Sequence, residues 1–337
     1  MSDRDRVTMA DVAREVGVSM MTVSRVINDK GDVSSATRQR VLDAIERLSY
    51  RPSSIARGLA TRRTGTLGLV VPDVANPFFA EVARGVEHVA YAEGYNVFLC
   101  NTDEDPEREL DVLGSLEEKR VDGIVLCSSR LETADLELVI ASHPAVVLLN
   151  RRLNGTGDPV HAVLVDDELG GRLATEHLLS RGHRAVGFLS GPPGSRSGHG
   201  RLLGHRAVLS QAGVPFEEAW VRNCAPVADA GRDVATQLLS DHPELTALLC
   251  YNDLVAVGVL RAAAELGRRV PSDLAVVGFD DIPLAALVTP PLTTCRVARC
   301  ELGVRAVDLL LRQIAGAPMI EETVVLEPEL VVRESAP

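Results

Sequence analysis

The chain has 337 residues and a formal net charge of -12, with hydrophobic residues at 46% and charged residues at 24%. That length exceeds one ordinary core and points to two or three domains, and the balance is that of a globular protein rather than a disordered one. No run approaches the roughly 18 apolar residues of a membrane helix, and "MSDRDRVTMADV" lacks the apolar centre of a secretory signal, so a cytoplasmic protein with no membrane partner is expected.

The charge is unevenly spread. Residues 1–63 hold 12 Arg or Lys against 8 Asp or Glu, whereas the remainder holds 23 against 39. Phosphate contacts need local cations, so this asymmetry fits a nucleic-acid module on an acidic body. Thr8 followed by Asp11 is a capping-box pattern, Val12, Ala13 and Val16 recur at helical spacing, and Gly17 supplies the left-handed turn that ends a first helix. Ser19 caps a second helix in which Val23, Val26 and Ile27 face inward. Small Ala13 lets the two helices cross, Gly17 turns the chain and Val23 packs beneath, which are the fixed points of a helix-turn-helix. The outward face shows Met20, Met21, Thr22, Ser24, Arg25 and Asn28. These residues, with Thr8 and Ser19, are the expected DNA contacts. Thr22 and Asn28 lie toward phosphate and Met20, Met21 and Arg25 toward the bases. Methionine can offer only apolar contact, suited to thymine methyls, whereas Arg25 can read a guanine. A third helix capped by Ser34 or Ser35, with Val41, Ile45 and Leu48 on its buried face, completes a small all-α DNA-binding domain over residues 1–50.

From Arg47 to Arg63 there are five arginines and no acid. In "RPSSIARGLATRRTG", Pro52 suits a first helical turn and Ser53 to Ala60 predicts one short helix that Thr64-Gly65 ends. A helix this short is marginal in water by itself. Beside a DNA reader it reads as a hinge, residues 51–64, that DNA orders. Ser53 and Ala56 would face the DNA, and Leu59 would act as an apolar wedge in the minor groove.

Beyond residue 65, "TLGLVV", "YNVFLCN", "GIVLCS" and "AVVLLN" alternate with helix-patterned segments, and a second series, "AVLVDD", "AVGFLSG", "ALLCYN" and "LAVVGFDD", repeats the arrangement. Strands alternating with helices predict α/β architecture with two doubly wound parallel-sheet lobes. Such sheets bind ligands beyond the carboxyl ends of their strands. There the chain places Asp73 and Asn76, Asn150 and Arg151, Asn252 and Asp253, and Asp280, so a cleft between the lobes is the expected ligand site. The six cysteines show no Cys-x-x-Cys spacing and read as buried thiols, with no metal and no cofactor expected. "GPPGSRSGHGRLLG" matches neither a P-loop nor a dinucleotide fingerprint. No nucleophile-elbow pattern surrounds Ser195 or Ser197, which leaves an enzyme fused to a DNA-binding domain as a remote rival.

"VTMADVAREVGVSMMTVSRVIN", "RPSSIARGLA", "NPFFAEV", "GHRAVGFLSG", "NDLVAVGVLRAAAELGRRVPSDLAVVGFDDI" and "PPLTT" resemble, in order, the lactose-repressor/galactose-repressor (LacI/GalR) family of bacterial transcription regulators, from about Val7 to Arg333. The resemblance implies a periplasmic-binding-protein-like (type I) body, with an amino-terminal lobe over 65–165 and 296–321 and a carboxy-terminal lobe over 166–295 and 322–337. It also implies an effector set of Asn76, Phe78, Phe79, Asn150, Arg151, Arg201, Asn252 and Asp280. Carboxylate, guanidinium and amide can hold vicinal hydroxyls while aromatic faces cover a ring. A sugar is therefore the expected effector, with a nucleoside, purine, phosphorylated sugar or amino acid derivative left open. Three departures keep that open. Only Ala225, Pro226 and Val227 stand where the family often closes the pocket with an aromatic, "CRVAR" follows "PPLTT" where a glutamine is frequent, and Asn150 replaces a frequent aspartate. A periplasmic binding protein would share the body but need a signal peptide and lack residues 1–63. The expected function is a repressor, not an enzyme. It would bind double-stranded operator DNA of palindromic sequence as a homodimer under the control of a small-molecule effector, with release favoured by the resemblance and co-repression left open. The carboxy-terminal "VVLEPELVVRESAP" carries no leucine heptad, so a dimer is expected rather than a tetramer.

Overall fold

The computed structural model describes residues 7–27, 31–50, 63–153, 160–318 and 322–337. Asn28, Ser53, Ala56, Leu59 and the expected hinge helix lie outside the described residues. The chain divides into two units, Met1–Thr64 and Gly65–Pro337.

The first unit holds α1 (Met9–Val16), α2 (Met20–Ile27) and α3 (Ser35–Arg47). At the start of α1 the Thr8 N–H donates to Asp11 Oδ2 at 2.9 Å and the Asp11 N–H donates back to Thr8 Oγ1 at 3.3 Å, the reciprocal capping box. Gly17 ends α1 with φ of 69°, a left-handed conformation that a Cβ resists. Ser19 Oγ accepts the Thr22 N–H at 3.2 Å and so opens α2. Ser34 rather than Ser35 caps α3, accepting the Thr37 N–H at 3.3 Å. Val12, Ala13, Val16, Val23, Val26, Val41, Ala44 and Tyr50 form the core. Ile45 and Leu48, expected inside, flank it half-buried because the helix turns Ala44 inward. Arg40 reaches 24 residues back to the Val16 carbonyl at 2.5 Å and satisfies an acceptor at the carboxyl end of α1.

In the second unit the strands are β1 (Thr66–Val71), β2 (Asn96–Asn101), β3 (Gly123–Cys127), β4 (Val146–Leu149), β5 (His161–Val165), β6 (Val186–Ser190), β7 (Val221–Asn223), β8 (Ala247–Cys250), β9 (Ala275–Asp280), β10 (Thr293–Arg296), β11 (Thr323–Leu326) and β12 (Glu329–Val331). The helices are α4 (Pro77–Ala92), α5 (Pro106–Glu118), α6 (Thr133–Ser142), α7 (Asp167–Ser180), α8 (Arg196–Gln211), α9 (Ala228–Asp241), α10 (Asp253–Glu265) and α11 (Arg299–Ile314). Two six-stranded sheets result, in the orders β11-β5-β4-β3-β1-β2 and β12-β10-β9-β8-β6-β7, so the lobes share one topology. The pairings are parallel except that β12 runs antiparallel to β10. Every residue of β3, β4, β6, β8 and β9 is buried, as expected where helices cover both faces of a parallel sheet.

The chain crosses between the lobes three times, and the expected boundaries need correction at two of them. Arg296 is the last residue of β10 and pairs with Asp280 in the second sheet. The stretch Thr323–Leu326 pairs in parallel with Ala162–Val165 in the first sheet, so the final crossing falls between β11 and β12. A four-residue apolar run carries no mark of which sheet will accept it; pairing beside β5 decides. Helix α11 packs on α4 at a contact of two glycines. A Cβ built on Gly303 would lie 2.2 Å from the Val82 carbonyl oxygen, and one on Gly85 would lie 2.1 Å from that of Cys300. No side chain fits that crossing. Among the described residues no helix is long and apolar enough to cross a membrane.

Candidate functional site

The first unit presents one face of α2. Met20 and Met21 are 56% and 65% exposed, and Arg25 is exposed beside them. Methionines of that exposure are hydrophobic surface left uncovered by the described residues. Thr22 and Ser24 lie half-buried; the Thr22 hydroxyl stands 3.0 Å from Ser19 Oγ, and Thr8 is engaged with Asp11 through its own cap. The face therefore carries capping groups at the helix start and the exposed side chains of Met20, Met21 and Arg25 along it.

In the second unit the polar residues at the strand ends converge. Asn76, Phe78, Phe79, Glu104, Ser128 and Asn150 come from the first lobe. Ser197, Arg201, Pro226, Tyr251, Asn252 and Asp280 come from the second, and together they line one cavity of about 30 Å³. That volume suits about one water, so a larger ligand enters only with the lobes further apart. The cleft continues past Glu104 and Pro226 into an outer vestibule of about 620 Å³.

Several of these side chains serve the scaffold as well as the cavity. Asn76 Oδ1 accepts the Phe78 N–H at 2.9 Å and caps α4, which leaves its amide N–H₂ to act as donor. Asn252 Oδ1 accepts the Val255 N–H at 2.8 Å and caps α10, while its Nδ2 donates to the Pro226 carbonyl at 3.2 Å. Phe78 and Phe79 meet edge to face at 5.0 Å and are both part of the core and part of the lining. Asp280 has φ of 105° and Asn150 of 56°, conformations non-glycine residues adopt at a cost and which concentrate at functional sites.

Arg201 is the one buried cation of the cavity wall. Its Nε donates to Asp167 Oδ1 at 2.9 Å, its Nη1 donates to the Tyr251 carbonyl, and its guanidinium lies 3.5 Å over the Phe279 ring. Burial opposes the charge, but Asp167 and Asp280 outweigh burial and hold Arg201 more basic than usual. Burial pushes the Asp280 carboxyl up to about 7, with Arg201 and Arg299 pulling the other way and Asp167 adding to the rise. Asp253 sits well above the usual carboxylate range, through burial first and then the proximity of Asp280. Asp253 accepts the Ile282 N–H at 2.8 Å and the Thr294 hydroxyl at 2.6 Å, so it fixes the loop that follows Asp280. Asp280 is thereby relieved of capping its own turn.

Arg151 departs from expectation. It lies outside the cavity, buried, and donates to the Ser129 carbonyl at 3.0 Å. The left-handed Asn150 explains the divergence: successive side chains leave the bend in different directions, and only Asn150 enters the cavity. Tyr251, Glu104 and Arg130 went unnoticed in the sequence. Tyr251 follows an apolar strand and reads as core, although its place one residue before Asn252 at the carboxyl end of β8 is a usable signal. Glu104 and Arg130 form an ion pair whose members come from two different loops. Ser195 caps α8 by accepting the Gly198 N–H at 3.1 Å, and His205 is buried against the Thr175 hydroxyl at 3.0 Å, its imidazole pushed down to about 4 by burial. Neither geometry makes a nucleophile and base.

Residues 8–53 match the bacterial regulatory proteins of the lacI family, and residues 64–327 match the periplasmic binding proteins and sugar-binding domain of the LacI family. The chain belongs to the lacI family. This regulator is 40% identical over 332 residues to the ribose operon repressor of Halalkalibacterium halodurans, covering 97% of this chain and 96% of that one. It is 37% identical over 330 residues to the transcriptional repressor PurR of Mannheimia succiniciproducens, covering 97% and 98%. Among solved structures, the lac repressor dimer bound to operator and the anti-inducer ONPF aligns with a TM-score of 0.88 at 30% identity, covering 98% and 99%. The regulator is thus a DNA-binding transcription factor with an effector-binding body, and not an enzyme.

Proposed function

We propose that this regulator represses transcription as a homodimer on a palindromic operator in the cytoplasm, and that a small sugar in the interlobe cavity releases it. The observation that carries the effector class is the lining itself. Three amides, two carboxyls and a guanidinium from both lobes line one cavity with two phenylalanine rings. Amides and carboxylates grip vicinal hydroxyls in bidentate fashion and the rings cover an apolar sugar face, so the set suits a polyol better than an aliphatic ligand. Because both lobes contribute, ligand binding favours one relative orientation of the lobes, and that difference can reach the DNA-binding module. Thr8, Ser19, Met20, Met21, Thr22, Ser24, Arg25, Asn28, Ser53, Ala56 and Leu59 are the residues proposed to meet DNA, with Arg25 reading a base.

The dimer is supported by apolar surface. Phe98 and Leu99 are nearly half exposed on β2, an edge strand, and Leu287 is 77% exposed on the other lobe. An uncovered apolar edge of this kind is a pairing surface. The curated relatives include a ribose operon repressor and a purine repressor, so a purine is the second reading, favoured by the paired Phe78 and Phe79 rings. Thermal-shift screening of pentoses, hexoses and purine bases separates the two. A ligand at 100 times its Kd adds about 2.7 kcal/mol of stability. A stabilising sugar that also lowers operator affinity in fluorescence anisotropy is the expected result. Stabilisation by purines alone transfers the site to the second reading.

A further inference from the structure

Tyr251 stands in the effector cavity, between the two lobes, and carries no role in the reading above. Its hydroxyl lies 3.0 Å from Ser195 Oγ on the cap of α8. Its backbone carbonyl takes a hydrogen bond from Arg201, whose guanidinium is 5.0 Å from the ring centre. Behind the ring is Gly191, and a Cβ built there would come within 2.5 Å of Cε2. The ring is therefore fixed at its back by backbone, at its tip by Ser195 and Arg130 and along its side by Arg201, and the residue lines the cavity. A residue held this firmly cannot yield to a ligand by changing rotamer, because Gly191 leaves no room behind it.

We propose that Tyr251 sets the size of the effector: its ring occupies volume that a fused two-ring ligand would need and limits the site to a single-ring polyol. The proposal rests on the effector cavity described above and adds to it the residue that separates small sugars from bulkier ligands. The magnitude follows from the ring itself. With the ring in place the cavity is about 30 Å³, whereas a site of roughly 150 Å³ admits a benzene-sized ring, so truncating Tyr251 moves the site toward that size. The freed space adjoins Asn252 and Arg201, which remain to bind polar groups on whatever enters.

The experiment uses the full chain with D-ribose, cellobiose and hypoxanthine as probes, each titrated calorimetrically into the wild type, Tyr251→Ala and Tyr251→Phe, with operator binding confirming that each variant folds. The expected result is that Tyr251→Ala shifts the affinity ratio of the bulkier probes to ribose by about tenfold or more, equivalent to about 1.4 kcal/mol. Tyr251→Phe keeps the ring and hence the size preference, while losing the Ser195 contact. An unchanged ratio in a folded Tyr251→Ala overturns the proposal, as does equal binding of all three probes by the wild type. If the wild type binds no sugar but Tyr251→Ala gains hypoxanthine, the size limit stands and the sugar reading falls. If neither protein binds any probe, Tyr251 is not what limits the site.

Discussion

At the scale of single residues, the effector cavity is defined by how it treats charge. Asp280 is an acid whose folded value, about 7, lies above its ordinary 3.8 because burial penalises the carboxylate. Between those values the folded chain holds a proton that the unfolded chain has lost, so stability contributed by this group falls as pH rises across that window. Effector binding has the opposite sense. A polyol donates hydroxyls to a carboxylate, so affinity is expected to rise from about pH 6 to about pH 8 with release of a proton. Calorimetry in buffers of different ionisation enthalpy measures that proton directly. Asp280→Asn should lose both affinity and pH dependence while operator binding persists; a variant that still responds at the same ligand concentration places the effector elsewhere. On the DNA side, Arg25→Ala is expected to cost about 1–3 kcal/mol at one base pair and to relax preference there. Binding to a set of operators mutated at each position checks it, and an unchanged preference would count against the docking. Asn76, Asn150, Asn252 and Asp280 were legible in the sequence because polar residues at the carboxyl ends of buried strands are conspicuous. Tyr251 and Glu104 were not, since an aromatic at the end of an apolar run and an acid in a loop have ordinary structural explanations.

At the scale of elements, local chemistry and close packing contribute differently. The caps at Thr8, Ser19, Ser34, Asn76 and Asn252 are short-range hydrogen bonds within three residues, which is why sequence spacing reveals them. The crossing of α4 and α11 at Gly85 and Gly303 is long-range and has no such mark. Gly303→Ala places a methyl against the Val82 carbonyl, and the helices must separate. A loss of about 1–3 kcal/mol in urea unfolding is expected. Because α4 begins at Asn76, the same substitution should weaken effector binding; unfolding midpoints equal to wild type would show that the crossing is more tolerant than its geometry implies.

At the scale of the whole molecule, the acidic total and the basic first module belong to separate units, and the proposed operator complex uses two copies of that module. A doubled substitution, Phe98→Asp with Leu287→Asp, puts charge on two exposed apolar surfaces. It is expected to shift the protein toward monomer in sedimentation and to reduce operator affinity more than either effect on folding explains. An unchanged dimer would move the interface to another face. Reciprocity gives a further check, since an effector that weakens operator binding by some factor must itself bind the operator complex weaker by that factor. Caps, periodicity and turns act over a few residues, so spacing along the chain already encodes the helix-turn-helix, the alternation that makes two α/β lobes, and most of the polar groups at the strand ends. The folded chain alone settles that β11 joins the first sheet, that Arg151 turns away from the cavity, and that Tyr251 and Glu104 stand at it. Those outcomes depend on which surfaces meet after the chain has crossed three times between lobes, and short-range spacing does not encode such meetings.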